Sequence, residues 1–398
     1  MKKTLKDIEL CNKKVILRVD FNVPIANDMI VDTKRIDAAI PTIRYILEKN
    51  ASLIILSHLG RIKTEEDKKT KSLALVAKKL SKILDKEVKF IPFTRGIEVE
   101  RAAANLKPGE IILLENTRFE DLNNKAESGN NDELAKYWAS LGDVFVNDAF
   151  GASHRAHTSV AGIPKYTKES ALGFLMNDEV EHLQKILHGF ERPFVAIIGG
   201  AKVSDKIKVL EKLFHIADKV LVVGGMAYTF QKAMGHKIGT SIYEEDRIEM
   251  AKQYLKEFAN KIVLPIDNAY VDEFADKTPL FTNKDNINIP DGYMGLDIGP
   301  QSIELFNEII ASAKTIFWNG PAGVSEFKNF EAGTKGIAIA IANNKDAYSV
   351  VGGGDSVTAI NKLGYQSKFS FISTGGGASI EFIQGNSMPG FEAIQDKN

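Results

Sequence analysis

PFVAIIGGAKVSDK, residues 193–206, sets an apolar run, a glycine pair and a polar helix start in immediate succession. That order describes a strand buried on both faces, a tight turn, and a helix returning the chain across a parallel sheet. The pattern recurs at KVLVVGGMA (219–227), KIVLPIDNAY (261–270), TIFWNGPAG (315–323), YSVVGGGDS (348–356) and SFISTGGGAS (370–379). An earlier set reads KVILRVDFN (14–22), SLIILSHLG (52–60), VKFIP (88–92), EIILLENTRF (110–119) and DVFVNDAFG (143–151), with helix-like stretches between. The polar helical stretch 177–191, Asn177 to Glu191, has no strand pattern and separates the two sets. The fold class expected is therefore α/β, with two Rossmann-like domains, each a parallel sheet covered by helices, joined by a hinge helix. The expected boundaries are 1–176, a connecting helix over 177–191, and 192–379.

A chain of 398 residues with 44% hydrophobic content exceeds what one core usually serves, which agrees with two domains. The 51 Lys and Arg balance 52 Asp and Glu, so no overall field recruits nucleic acid or an anionic membrane. Cys11 is the single cysteine, which excludes an internal disulfide and points to a reducing, cytoplasmic setting. The start MKKTLKDIELCNKK has no apolar run behind its lysines, and nothing in it reads as a targeting signal. The charged segment RIKTEEDKKTKS (61–72) reads as a solvated loop.

Ligands of open α/β sheets gather beyond the carboxyl ends of the strands. In the first half those ends are basic: Arg61 follows SHLG, Arg118 follows LENT, Arg155 follows DAFGASH, and Arg35 falls in the loop region after the first strand. Eight of the ten arginines precede residue 160, while lysines are spread throughout, so arginine is concentrated where guanidinium chemistry is wanted. A planar guanidinium grips phosphate or carboxylate through two parallel hydrogen bonds, which suits a small polyanionic substrate. Period-2 alternation puts Asp20 and Asn22 on one face of the first strand, where they could hold a hydroxyl or orient an arginine. His58, beside Arg61, is a further candidate contact.

In the second half the ends are glycine-rich: GGAKVSDK (199–206), the pair 224–225, NGPAG (319–323), GGGDS (352–356) and GGG (375–377). Glycine allows a backbone to approach phosphate closely, and the helix that follows offers free N–H groups. Neither G-x-x-x-x-G-K-[ST] nor G-x-G-x-x-G is present, which also counts against a nicotinamide dehydrogenase. Lys206 in a first helical turn opposes the helix dipole unless an anion compensates it. Asp355 is readable as an N-cap, as a carboxylate for a nucleotide's magnesium, or as both. A basic half and a glycine-rich half, closing on one another, suffice for phosphoryl transfer.

At RVDFNVP (18–24), SHLGR (57–61), LLENTRF (113–119), VNDAFGASHRAHTS (146–159), GGAKVSDK, WNGPAGV (318–324), GGGDS and STGGGAS (373–379), the chain closely resembles the phosphoglycerate kinase family, collinearly from end to end. The resemblance implies reversible phosphoryl transfer between 1,3-bisphosphoglycerate and ADP, giving 3-phosphoglycerate and ATP in glycolysis, by a monomer. It implies 3-phosphoglycerate binding by the N-terminal domain through Asp20, Phe21, Asn22, Arg35, His58, Leu59, Gly60, Arg61, Arg118 and Arg155. It implies magnesium-ATP or ADP binding by the C-terminal domain through Lys202, Lys206, Gly295, Asn319, Glu326, Gly353, Gly354, Asp355 and Ser356. Mg2+ would sit at Asp355, Glu326 would meet the ribose, and Arg35 and Lys202 would neutralise the transferring group. The tail, about 380–398, would pack back on the first domain. Two positions depart from the family pattern: Phe371 stands where histidine is common, and Ser325 where an aromatic usually precedes the glutamate. A non-catalytic relative would be expected to lose the facing arginines and lysines, and all are present.

Overall fold

The computed structural model describes residues 1–397. The chain divides into two compact units, Met1–Glu181 joined by the tail from Gly385, and His182–Gln384. Each is built on a six-stranded parallel sheet flanked by helices.

In the first unit the strands are β1 (Lys14–Val19), β2 (Ser52–Leu56), β3 (Lys89–Ile91), β4 (Ile111–Leu114), β5 (Val144–Asp148) and β6 (Glu169–Leu172), in the order β3-β4-β2-β1-β5-β6. Every residue of β2, β4 and β5 is buried, which is why these strands read as continuous apolar runs and not as alternations. Helix α1 (Lys34–Glu48) lays Ile36, Ala39, Ile43 and Ile46 on the sheet along one helical stripe. Helix α2 (Phe174–His188) carries the chain from the first unit into the second. The tail is held on the first unit: Lys3 N–H donates to Gln395 O at 2.8 Å, and the buried Asn147 side chain donates to Gly390 O at 2.8 Å.

The second sheet comprises β7 (Phe194–Ile198), β8 (Lys219–Val222), β9 (Ile262–Val263), then β13 (Thr315–Asn319), β14 (Tyr348–Gly352) and β15 (Phe371–Ile372), ordered β9-β8-β7-β13-β14-β15. Its first-to-sixth order is 3-2-1-4-5-6, the doubly wound arrangement whose crevice opens where the winding reverses, here between β7 and β13. The first sheet reverses between β1 and β5. Helices α3 (Ile207–Ile216) and α4 (Gly354–Leu363) begin just beyond the ends of β7 and β14.

Several expectations are corrected. KIVLPIDNAY is not one strand: Pro265 falls between β9 and β10 (Asn268–Val271), and a proline cannot donate to a ladder. β10 pairs antiparallel with β11 (Leu280–Phe281) and β12 (Met294–Ile298) in a separate sheet that the repeated strand–turn–helix pattern does not announce. The edge strand β6 is also additional, with too little apolar sequence to stand out. The charged segment 61–72 contains a helix, Glu65–Thr70, nucleated by the reciprocal Thr64/Asp67 capping box. Among the described residues no helix is long and apolar enough to cross a membrane.

Candidate active site

The two crevices differ in chemistry. In the first unit, β1 ends at Val19, so Asp20, Phe21 and Asn22 form the loop beyond it and not its last face. Arg35 lies in the first turn of α1, not in a loop, and its guanidinium pairs with Asp20 Oδ2. Asn22 Oδ1 accepts from Gly60 N–H at 2.8 Å, and Gly60 takes φ 63°, a left-handed conformation that closes the turn after β2. Asn116 stitches this turn to the end of β4: its side chain donates to Leu59 O at 2.7 Å and accepts from Arg118 N–H at 3.0 Å. Phe21 and Leu59 bury their side chains, and their backbone N–H groups are taken by Ser57 Oγ and Asn116 Oδ1, so both serve here as frame.

Arg118, Arg61 and Arg155 rise from the ends of β4, β2 and β5. Arg118 is buried on a short 3-10 turn, with Nη1 3.6 Å from Asp121 Oδ2, and its Nε has no hydrogen-bond partner among the described residues. Buried donors are rarely left so, and an unsatisfied guanidinium edge is what an anion would complete. Arg61 and Arg155 are exposed, yet near enough that their charges bear on Arg118.

Arg18 and His157 were quoted within motifs but not singled out. Arg18 is wholly buried on β1 and donates from Nη2 to His58 Nδ1 at 3.2 Å. A guanidinium can only donate, so His58 carries its proton on Nε2. Burial, reinforced by the neighbouring guanidiniums, pushes His58 down to about 3 despite the opposing pull of Asp20. It is therefore neutral at pH 7, and its 3.9 Å approach to Asp20 is no ion pair. His157, 3.4 Å from Arg118 Nη2 through Nε2, is pushed to about 3 by burial and by Arg118.

In the second unit the crevice is lined by backbone. Lys206 does not project to meet an anion, as the dipole argument supposed. Its ammonium turns back to Gly199 O at 2.7 Å and Asn319 Oδ1 at 2.5 Å, tying β7 to β13 at the reversal point. Burial pushes this ammonium down to about 8, against the attraction of Asp355 and Asp205. Asn319 Nδ2 is buried with no partner among the described residues, a second unsatisfied donor. Ser356 Oγ accepts from Gly320 N–H at 2.9 Å. Asp355 is not an N-cap: Gly353, at φ 91°, takes that position, and Asp355 is exposed in the first turn of α4.

A cavity of about 620 Å³ opens here, within the usual size for a small-molecule site. Gly200, Gly224, Gly225, Tyr228, Gly295, Glu326 and Asp355 are among its walls. Gly295 is fixed by space, since a β-carbon there would fall 2.2 Å from the buried Tyr228 hydroxyl. Lys202 is exposed, outside the cavity lining, and without a partner among the described residues. The missing aromatic at Ser325 is offset by Phe327, packed on Phe274 with ring centres 5.0 Å apart. Phe371 stacks on His182 at 4.1 Å, so its ring has a defined partner.

Guanidiniums gathered at the strand ends of one α/β unit and a glycine-lined cavity in the other are the features of a two-unit α/β protein that handles anionic ligands. The sequence matches the profile of the family described as "Phosphoglycerate kinase" over residues 5–386. It is 55% identical over 397 residues to "Phosphoglycerate kinase" of Mesomycoplasma hyopneumoniae, covering 100% of this chain and 98% of that one. It is 52% identical over 396 residues to the protein of the same name from Enterococcus faecalis, covering 100% of both. The solved phosphoglycerate kinase of Coxiella burnetii superimposes with a TM-score of 0.89 at 39% identity, covering 99% of this chain and 98% of that one. The chain belongs to the phosphoglycerate kinase family, and it is a phosphotransferase with a carboxyl group as acceptor.

Proposed function

We propose that the chain transfers a phosphoryl group reversibly between the acyl phosphate of 1,3-bisphosphoglycerate and ADP, giving 3-phosphoglycerate and ATP. The observation that carries this reading is the pair of unsatisfied buried donors, Arg118 Nε and Asn319 Nδ2, one at each chemically distinct strand-end crevice.

The acid is assigned to the first unit, on Arg35, Arg61, Arg118 and Arg155, with Asp20, Asn22 and His58 orienting it. The nucleotide is assigned to the second unit, against Gly295, Asn319, Glu326 and the 353–356 segment, with Lys206 holding the crevice in shape. In the ATP-consuming direction the 3-phosphoglycerate carboxylate forms the new O–P bond, the bond from phosphorus to the ADP oxygen breaks, and no proton moves. A base is therefore not required. Neutral His58 and His157 suit hydrogen-bonding roles better than charge compensation, which falls to Arg35 and Lys202.

No group of three or more His, Cys, Asp and Glu among the described residues could cage a metal. Exposed Asp355 at the cavity wall fits the other mode, in which one carboxylate receives Mg2+ brought by nucleotide phosphates. Bound there, Mg2+ would neutralise phosphate charge. Action as a cytoplasmic monomer is carried over as a family-level expectation.

The test mixes protein, 3-phosphoglycerate and magnesium-ATP and follows ADP, with the acid omitted as control. ADP that requires the acid is the expected result; nucleotide binding without turnover would leave the chain a non-catalytic relative.

A further inference from the structure

Behind the arginine crevice lies a buried chain of contacts outside the residues assigned above to substrate. Arg18 is wholly buried; its Nε–H donates to Ser159 Oγ at 2.8 Å, Nη1 donates to Val19 O, and Nη2 donates to His58 Nδ1. Ser159 donates in turn to a second wholly buried side chain, Glu127, from its hydroxyl to Oε1 and from its N–H to Oε2 at 2.9 Å. The Ser159 hydroxyl thus has one direction in which to donate and one from which to accept. The backbone fixes the relay, because Thr158 N–H donates to Glu127 O at 2.8 Å and Thr158 Oγ1 donates to Ala126 O at 2.7 Å.

Charge runs along the same line. The charged groups facing Arg18 are Glu127, Asp20 and the repelling Arg118. Asp20 is already paired with Arg35. Glu127 is therefore the carboxylate left to Arg18, and a buried cation without one is costly. Arg18 in turn fixes the tautomer and the ring direction of His58.

Resting on the reading that this crevice binds the acid substrate, we propose that Glu127 is a positioning residue: through Ser159 and Arg18 it sets the orientation of His58 in the acid crevice. It touches neither substrate nor reacting atoms, so its effect should fall on the acid and not on the nucleotide.

The test measures KM for 3-phosphoglycerate and for magnesium-ATP in Glu127→Gln, Ser159→Ala and the double variant, together with 15N spectra of the histidine rings, His58 being assigned by its loss in His58→Asn. Each single variant is expected to raise the acid KM about tenfold while the ATP KM stays within about twofold, and the double variant is expected to be no worse than the poorer single one. In the parent His58 should show the Nε2–H tautomer, and both variants should lose its dominance. A folded variant with an unchanged acid KM and His58 tautomer overturns the proposal, as does a parallel rise in both KM values. If Glu127→Gln does not fold, Ser159→Ala, which deletes one hydroxyl, decides. If the parent fails to phosphorylate the acid, the functional reading falls instead, and the His58 tautomer alone still tests the relay.

Discussion

Replacing Gly320 by alanine should separate β7 from β13 at the point where the second sheet reverses. Gly320 has φ 99°, and an added β-carbon would lie 2.1 Å from Gly199 O and 2.6 Å from its carbonyl carbon. The obstacle is backbone of a neighbouring central strand end, so no rotamer change relieves it. Left-handed strain of about 1–2 kcal/mol and overpacking of about 1–3 kcal/mol together give roughly 2–5 kcal/mol. For a unit of this size that is a fall in Tm of roughly 5–15 °C. The same displacement moves Gly199 O and Asn319, the two anchors of the Lys206 ammonium, so the magnesium-ATP KM should rise as the acid KM holds. Gly189→Ala is the control, because it lies outside both assigned sites, its added β-carbon meets nothing closer than 3.5 Å and its φ is not left-handed. Calorimetry and steady-state kinetics on both variants read the outcome. A Gly320→Ala protein that melts with its parent would refute the reasoning, since it would show that the strand ends can part without cost.

Arg35→Ala and Lys202→Ala should each lower kcat at least about a hundredfold while changing the ATP KM far less; a pure KM effect would remove them from the transferring group. Lys206→Met should raise the ATP KM and lower Tm together, because the ammonium bridges two strands; loss of activity at unchanged Tm would contradict that bracing role. Burial raises Asp148 to about 7 from an unfolded value of about 3.9. The stability it contributes is thus complete below about pH 4 and is lost as pH rises to about 7. Relative to Asp148→Asn, the parent should lose Tm progressively over that window, and parallel pH profiles would show that Asp148 does not titrate there.

The parallel strands were legible because both faces of the sheets are covered, leaving unbroken runs such as SLIIL and VFVND. The antiparallel sheet was hidden for the opposite reason: β11 is two exposed residues, and β12 contains Gly295, whose place is set by Tyr228 far away in sequence. Asp20, Asn22, Arg35, His58 and Arg118 could be named early because strand ends converge in this topology and because a family resemblance was visible. Glu127 and Ser159 could not, since the contact that gives them meaning closes across 32 residues. Lys206 shows that a lysine at a helix start need not have an anion to answer it. Its helix-terminal charge is satisfied by three oxygens of its own chain, two of them from Asn319, 113 residues away.

The most direct test of phosphoryl transfer between the two assigned ligands is label transfer from γ-32P-ATP to 3-phosphoglycerate in the presence of Mg2+, with hydroxylamine added to capture the acyl group. Transfer should yield ADP and the 3-phosphoglyceroyl hydroxamate in equal amounts, with label released as phosphate only when the acid is present. Labelled phosphate released equally without the acid would mean ATP hydrolysis, and ADP formed without hydroxamate would place the phosphoryl group on some other acceptor; either result would contradict the assignment.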